Sequence, residues 1–248
     1  MKKPGKRSSH MILYGKNSVF ERINARPESI KKIVLGEDFD DSAILKAIKD
    51  KSLSFERVSV KKLAKLKHAK DLQKIIAYID SFTYASLEDL LDVEENRPNI
   101  IFLDRINDPQ NLGVIIRTAA CLGRFAVVIP AHQACCVTEA VLHVASGGEN
   151  YVPVALVSNL SNALITVKKA GYWIIGAVVD DGAKELWGID LPPPLAIVMG
   201  SEAKGLRYGI LKHIDVKARI NMAGAPLSLN VAMATAIFCY ELSKKIKR

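Results

Sequence analysis

Cysteine is scarce in this chain: Cys121, Cys135, Cys136 and Cys239 are the four present, and none forms a C-x-x-C pair. Cys135 and Cys136 are adjacent, a poor geometry for a disulfide framework, so the usage fits a reducing cytosol and a cytoplasmic protein. His132 stands near that pair, but no second ligand pair follows at zinc-site spacing, and no metal is expected. Neither a G-x-G-x-x-G fingerprint nor a P-loop occurs, which removes two familiar phosphate cradles. The opening MKKPGKRSSHMILYGKN is basic and lacks an apolar core long enough for a signal peptide. Charge is missing between the end residues of 219–241, RINMAGAPLSLNVAMATAIFCYE. A membrane span needs about 20 predominantly apolar helical residues. Asn221, Gly224, Pro226, Ser228 and Asn230 interrupt the first half of that stretch, so no membrane partner is expected.

Acids are thin at the start and bases are absent further on. Residues 1–80 carry 19 Lys/Arg against 10 Asp/Glu, whereas 81–96 carry five acids and no base. The formal net charge of the 248 residues is +9. A basic first third suits a polyanion such as RNA, although many proteins are basic without such a partner. Residues 1–10 read as a basic tail.

From 12 to 79, apolar strands at 31–36, 53–60 and 74–79 alternate with helices at 18–24, 42–49 and 61–66, the last capped by Ser59. This predicts a small α/β domain over 1–80. The acidic 81–96 stretch, followed by Pro98, reads as a linker with one helical turn. From 97 to 248 the strands become continuously apolar, at 100–104, 125–129, 152–157, 172–179, 195–199 and 215–220. Helices are predicted at 111–122, 137–145, 159–170, 206–213 and 228–242, with Ser228 or nearby Asn230 at the last entrance. The pattern predicts a parallel α/β sheet covered on both faces, with ligands beyond the strands' carboxyl ends. The loops after Asp104, Val179, Met199 and Ile220 are therefore the ones to inspect.

Three of those loops carry chemistry. In 104–123, DRINDPQNLGVIIRTAACLG, Arg117 is the only charged side chain on a very apolar helix. Such an arginine must be paired, reach solvent or face a polar site. It either pairs with a carboxylate such as Glu202 or joins Asn111 in holding a phosphate or ribose. Gly113, one turn earlier, is expected to leave space beside the guanidinium. At 195–206, LAIVMGSEAKGL runs strand, glycine turn, helix, and Gly200 and Gly205 permit close backbone approach and positive φ. The polar Ser-Leu-Asn before the last helix presents first-turn N–H groups to a ligand.

The motifs N-L-G-x-x-x-R at 111–117, M-G-S-E-A-K-G-L at 199–206 and I-N-M…S-L-N-V-A at 220–232 together resemble those of the SpoU (TrmH-like) RNA 2′-O-ribose methyltransferases of the SPOUT superfamily. YGKNSVFERI at 14–23 is similar to the L30e-like RNA-binding domain that precedes many of them, as in the 23S rRNA guanosine methyltransferases. The resemblance implies a deep C-terminal trefoil knot, a homodimer and S-adenosylmethionine as cofactor. It places Gly200, Ile220, Leu229 and Gly176, Ala177 and Val178 at the cofactor, and Asn111, Arg117, Glu202, Ser228 and Asn230 in the polar catalytic set. His68-Ala69-Lys70-Asp71 departs from the family's His-Gln-Gly pattern, and 145–149, ASGGE, from its Ser-Ala-Gly-Ala. A tRNA ribose methyltransferase and a non-catalytic RNA-binding or ribosome-assembly protein are the alternatives.

Overall fold

A computed structural model describes residues 10–69, 71–93, 97–180, 182–201, 204–225 and 227–244. The first sheet is built by β1 (His10–Tyr14), β2 (Ile30–Gly36), β3 (Phe55–Val58) and β4 (Ile75–Asp80), with helices α1 (Lys16–Ala25), α2 (Ser42–Asp50) and α3 (Val60–Leu66) between them. Its order is β1-β4-β2-β3, with β4 antiparallel to both neighbours and β3 parallel to β2. Ser59 caps α3 as expected, its hydroxyl accepting from the Lys62 N–H at 3.4 Å. β1 falls partly within the stretch read as a tail; its last two residues, Leu13 and Tyr14, are buried against the core.

The acidic connection is not a free tether. It contains α4 (Leu87–Leu91), opened by a reciprocal Ser86/Asp89 capping box. Leu87 and Leu90 are buried in the core that lies under the second sheet. The Ala85 N–H also donates to the Val154 carbonyl at 3.0 Å.

The second sheet has seven strands, all parallel: β5 (Asn99–Leu103), β6 (Phe125–Pro130), β7 (Val154–Val157), β8 (Trp173–Ala177), β9 (Lys184–Glu185), β10 (Leu195–Met199) and β11 (Val216–Arg219). Their order is β7-β6-β5-β10-β8-β11-β9. The helices are α5 (Pro109–Leu122), α6 (Glu139–Ala145), α7 (Leu160–Lys169), α8 (Tyr208–Leu211) and α9 (Val231–Ser243). All five residues of β5 and of β10 are buried, which explains their continuously apolar sequences. The two-residue β9 carries no periodic signal and escaped the sequence reading. Among the described residues no helix is long and apolar enough to cross a membrane.

Two expectations are corrected by packing. The last helix begins at Val231, not near Ser228, because the Asn230 side chain takes the cap and accepts from the Ala232 N–H at 2.8 Å. Gly113 does not open space for Arg117. A Cβ there would lie 2.5 Å from Val144 Cβ and 3.0 Å from the Val141 carbonyl, so the glycine lets α5 sit against α6. Gly113→Ala gains up to ~1 kcal/mol of helix propensity. Overpacking costs about 1–3 kcal/mol and outweighs this, so the expected result is a net loss of up to about 2 kcal/mol in urea unfolding.

The two sheets are held together through α6 and the turn after it. Arg22 on α1 pairs with Glu149 at 3.0 Å, both side chains almost wholly buried. The Tyr14 and His143 rings stack at 4.1 Å, and the Ile12 N–H donates to Glu139 Oε1 at 2.6 Å. Lys67 pairs with the other oxygen of Glu139. One continuous apolar cluster runs from Leu13, Val19 and Ile23 to Val141 and Leu142.

Burial pushes the Glu149 carboxyl above its usual value, against the pull of Arg22. Removing the guanidinium leaves backbone hydrogen bonds at Gly147 and Glu149 as the remaining counterweight to burial and raises that value further. A raised folded-state pKa contributes stability below the unfolded value that is lost as pH rises through the folded one. Arg22→Met is thus expected to cost about 3–5 kcal/mol at pH 8, where an unpaired carboxylate would stay buried, and clearly less at pH 5. Urea midpoints of both proteins at the two pH values check this; equal losses would contradict it.

Candidate active site

A cavity of about 400 Å³ opens where three strand ends meet. Ala177, Val178 and Val179 come from the end of β8, Met199, Gly200, Ser201, Lys204 and Gly205 from the loop after β10, and Ser228, Leu229, Val231 and Ala234 from the entrance of α9. This is the carboxyl edge of a parallel sheet, where such folds bind ligands. Small and apolar side chains dominate the wall, leaving backbone groups within reach of a ligand, and the volume lies in the range of small-molecule sites.

The loop after β10 is shaped by its glycines. A Cβ on Gly200 would fall 2.3 Å from the Gly205 carbonyl carbon and 2.6 Å from the Leu206 nitrogen, so the backbone closes on itself there. Gly205 has φ +58°, as its place in the turn predicted, and its N–H donates to the Ser201 carbonyl at 2.8 Å. The loop is also strapped to the end of β5. Fully buried Asp104 receives the Arg207 guanidinium at 2.7 Å and the Arg207 N–H at 3.2 Å, while Arg105 donates to the Gly205 carbonyl at 3.3 Å. Asp104 entered the sequence reading only as a strand end, because its partner lies about a hundred residues away.

The other residues singled out from sequence divide into four groups. Asn111 and Asn230 meet, with the Asn230 amide donating to the Asn111 side-chain oxygen at 2.9 Å, tying the first turn of α5 to the first of α9. Gly176 is buried, with Ile214 atoms 3.0 Å from where its Cβ would be, and the Ile220 side chain packs half-buried on the main core. Neither lines the cavity among the described residues. Glu202 lies outside the described residues.

Arg117 is exposed and points elsewhere. Its guanidinium donates to Ser146 Oγ at 3.4 Å and lines two clefts formed with α1, of about 340 and 330 Å³. Among the described residues these clefts share no side chain with the cavity at Gly200. Within one chain, then, the arginine and the candidate cofactor cavity are separate features. Asn17 and Ser146 flank Arg117 in both clefts, and neither was singled out as functional from sequence. No group of three His, Cys, Asp or Glu side chains that would hold a metal ion occurs among the described residues.

Comparison with known proteins adds the family. Residues 98–240 match the model of the SpoU rRNA Methylase family, and 12–85 match that of the RNA 2′-O ribose methyltransferase substrate-binding domain. The chain is 33% identical over 242 residues to the 23S rRNA (guanosine-2′-O-)-methyltransferase RlmB of Coxiella burnetii, covering 94% of this chain and 95% of that one. It is 31% identical over 243 residues to YacO of Bacillus subtilis, named for the TrmH family of tRNA/rRNA methyltransferases, covering 95% and 96%. Among solved structures, an S-adenosylmethionine-bound rRNA methyltransferase of Sinorhizobium meliloti superposes with a TM-score of 0.79 at 22% identity, over 97% of this chain and 89% of that one. At that identity the likeness is one of fold.

Proposed function

The chain belongs to the SpoU rRNA methylase family, and from that premise we propose that it methylates the 2′-hydroxyl of a guanosine in 23S rRNA. It is an S-adenosylmethionine-dependent RNA 2′-O-ribose methyltransferase. The observation that carries the reading is the convergence of 177–179, 199–205 and 228–234 on one cavity at the sheet's carboxyl edge. Two of the three sequence motifs thereby meet in one place. Guanosine and 23S rRNA are supported by full-length likeness to RlmB proteins; a tRNA acceptor is the alternative, compatible with the likeness to YacO, whose name covers both tRNA and rRNA.

The cavity fits S-adenosylmethionine: its small residues leave backbone donors and acceptors for an adenosine, and its apolar wall suits the rest. Gly200, Leu229, Ala177 and Val178 would hold it, with Gly176 and Ile220 behind them. When bound, the cofactor supplies a methyl group on a positively charged sulfur. The chain's own task is to place a ribose 2′-oxygen in line and to remove its proton. Arg117 holds the target phosphate and lowers the hydroxyl's pKa electrostatically. As an always-protonated guanidinium it is a poor base, so the proton leaves to that phosphate or to water. The Asn111–Asn230 pair fixes the entrance of α9, Ser228 steadies the loop before it, and Glu202 orients Arg117 or the ribose.

The separation of Arg117 from the cavity supports a homodimer as part of this reading. Met233, Ile237 and Tyr240 stand exposed at i, i+4 and i+7 on α9, with Leu227 and Leu229 beside them, an apolar stripe suited to a second copy. In this dimer Arg117 of one chain serves the cavity of the other. The reading also includes a C-terminal trefoil knot, an L30e-like RNA-binding domain over 1–80, a linker at 81–96, a catalytic domain over 97–248 and a cytoplasmic location. Calorimetry with S-adenosylmethionine, followed by transfer to unmodified 23S rRNA and tRNA in parallel, tests it. Saturable binding with label entering rRNA is expected; label entering tRNA alone would move the substrate, and neither binding nor transfer would favour a non-catalytic RNA-binding protein.

A further inference from the structure

The cleft between α1 and the turn after α6 is one that the reaction as described leaves without a role. It encloses about 340 Å³, and its walls include Asn17, Phe20 and Glu21 from α1, Arg117 from α5, and Ser146 and Tyr151 beyond α6. Half-buried Phe20, with the small side chains Ala120 and Ala145, gives it an apolar lining of the kind that receives an unstacked base. Its polar groups are few and held in place. The Tyr151 hydroxyl donates to Glu21 Oε2 at 2.9 Å, and that contact keeps the phenol protonated by raising its pKa. Glu21 is fixed again at its stem, since Gly147, at φ +94°, lies so close that a Cβ there would be 2.3 Å from Glu21 Cβ. Glu21 Oε1 records no hydrogen bond among the described residues.

We propose that this cleft receives the base of the target nucleotide and that Glu21 selects guanine. The inference rests on the methyltransferase reading and names a subsite for it. An ionised carboxylate only accepts hydrogen bonds, and it offers two oxygens side by side. Guanine is the one standard base whose Watson–Crick edge presents two adjacent donors, N1–H and the N2 amino group. Adenine and cytosine place an acceptor beside their single amino group, and uracil flanks its one N–H with carbonyls. A carboxylate meeting those edges faces an acceptor and is left with an unmet group, the strongest form of discrimination available to a small pocket. Arg117 lines the same cleft, so a base held by Glu21 brings its own ribose and phosphate to the guanidinium. The first domain of the chain is thereby part of the nucleotide site.

The test uses the full-length chain and two RNA acceptors that differ only at the methylated position, guanosine or inosine. Inosine keeps N1–H and lacks the N2 amino group. For the unaltered protein kcat/KM is expected to fall at least about tenfold on inosine, the loss of one hydrogen bond to a charged acceptor. Glu21→Gln is expected to lose about as much on guanosine and to treat the two RNAs alike, because its amide has one acceptor to offer. Its melting temperature is compared with that of the unaltered chain, and the inosine arm needs no variant at all. Equal transfer to guanosine and inosine by the unaltered protein, or an unchanged guanosine preference in Glu21→Gln, overturns the subsite and leaves the methyltransferase reading standing. No transfer to either RNA by the unaltered protein overturns both.

Discussion

Arg117→Ala is expected to cut methyl transfer by at least about a thousandfold, the scale of losing a donor aimed at developing charge. Affinity for S-adenosylmethionine is expected to stay within about twofold, and stability within about 0.5 kcal/mol, as for a surface substitution. The separation follows from geometry. The side chain is exposed, its hydrogen bond among the described residues is a long one to Ser146 Oγ, and among those residues the clefts it lines share none with the candidate cofactor cavity. Arg117→Lys keeps the charge and loses the planar fork, so it should recover part of the activity. Single-turnover transfer beside calorimetry makes the comparison. Near-normal turnover by Arg117→Ala would remove the arginine from the mechanism.

Gly200→Ala has the opposite signature. The new Cβ would meet the carbonyl carbon and oxygen of Gly205 and the nitrogen of Leu206 at 2.3–2.6 Å, all of them backbone atoms that cannot rotate away. The loop is held from both sides by the Ser201–Gly205 pairing and by the Asp104 and Arg105 contacts, so it must deform to admit the methyl group. Overpacking of this kind costs about 1–3 kcal/mol, which lowers cofactor affinity roughly 5- to 150-fold. The two variants also test the dimer. If Arg117 of one chain serves the cavity of the other, a heterodimer of Arg117→Ala with Gly200→Ala holds one site with both parts intact. Random reassociation of the two impaired proteins should then recover about a quarter of the unaltered activity. No recovery beyond the sum of the separate variants would place both parts of the site in one chain.

The sequence was most legible where signals are local. Buried strands such as β5 and β10 announced themselves as apolar runs, Ser59 and the turn at Gly205 carried their own chemistry, and three motifs of fixed spacing marked the family. What escaped was decided by contacts across the chain. Gly113 looked like room for an arginine and is instead the contact point with Val144. Ser228 and Asn230 are equal candidates for a cap by residue type, and only the geometry of the loop gives the role to Asn230. Glu149 lay in a segment that departs from the family pattern; its buried partner Arg22 is 127 residues away, beyond any periodicity. A separation of 130 residues likewise hid Glu21 and Tyr151, whose meeting makes a cleft out of two ordinary surface residues.

The most direct measurement of the central claim is the identity of the labelled nucleoside after transfer from methyl-labelled S-adenosylmethionine to unmodified 23S rRNA. Complete digestion should yield the label in a single species, 2′-O-methylguanosine, and the same digestion after reaction with Arg117→Ala should yield none. Label on a base, or in the ribose of another nucleoside, would contradict the account.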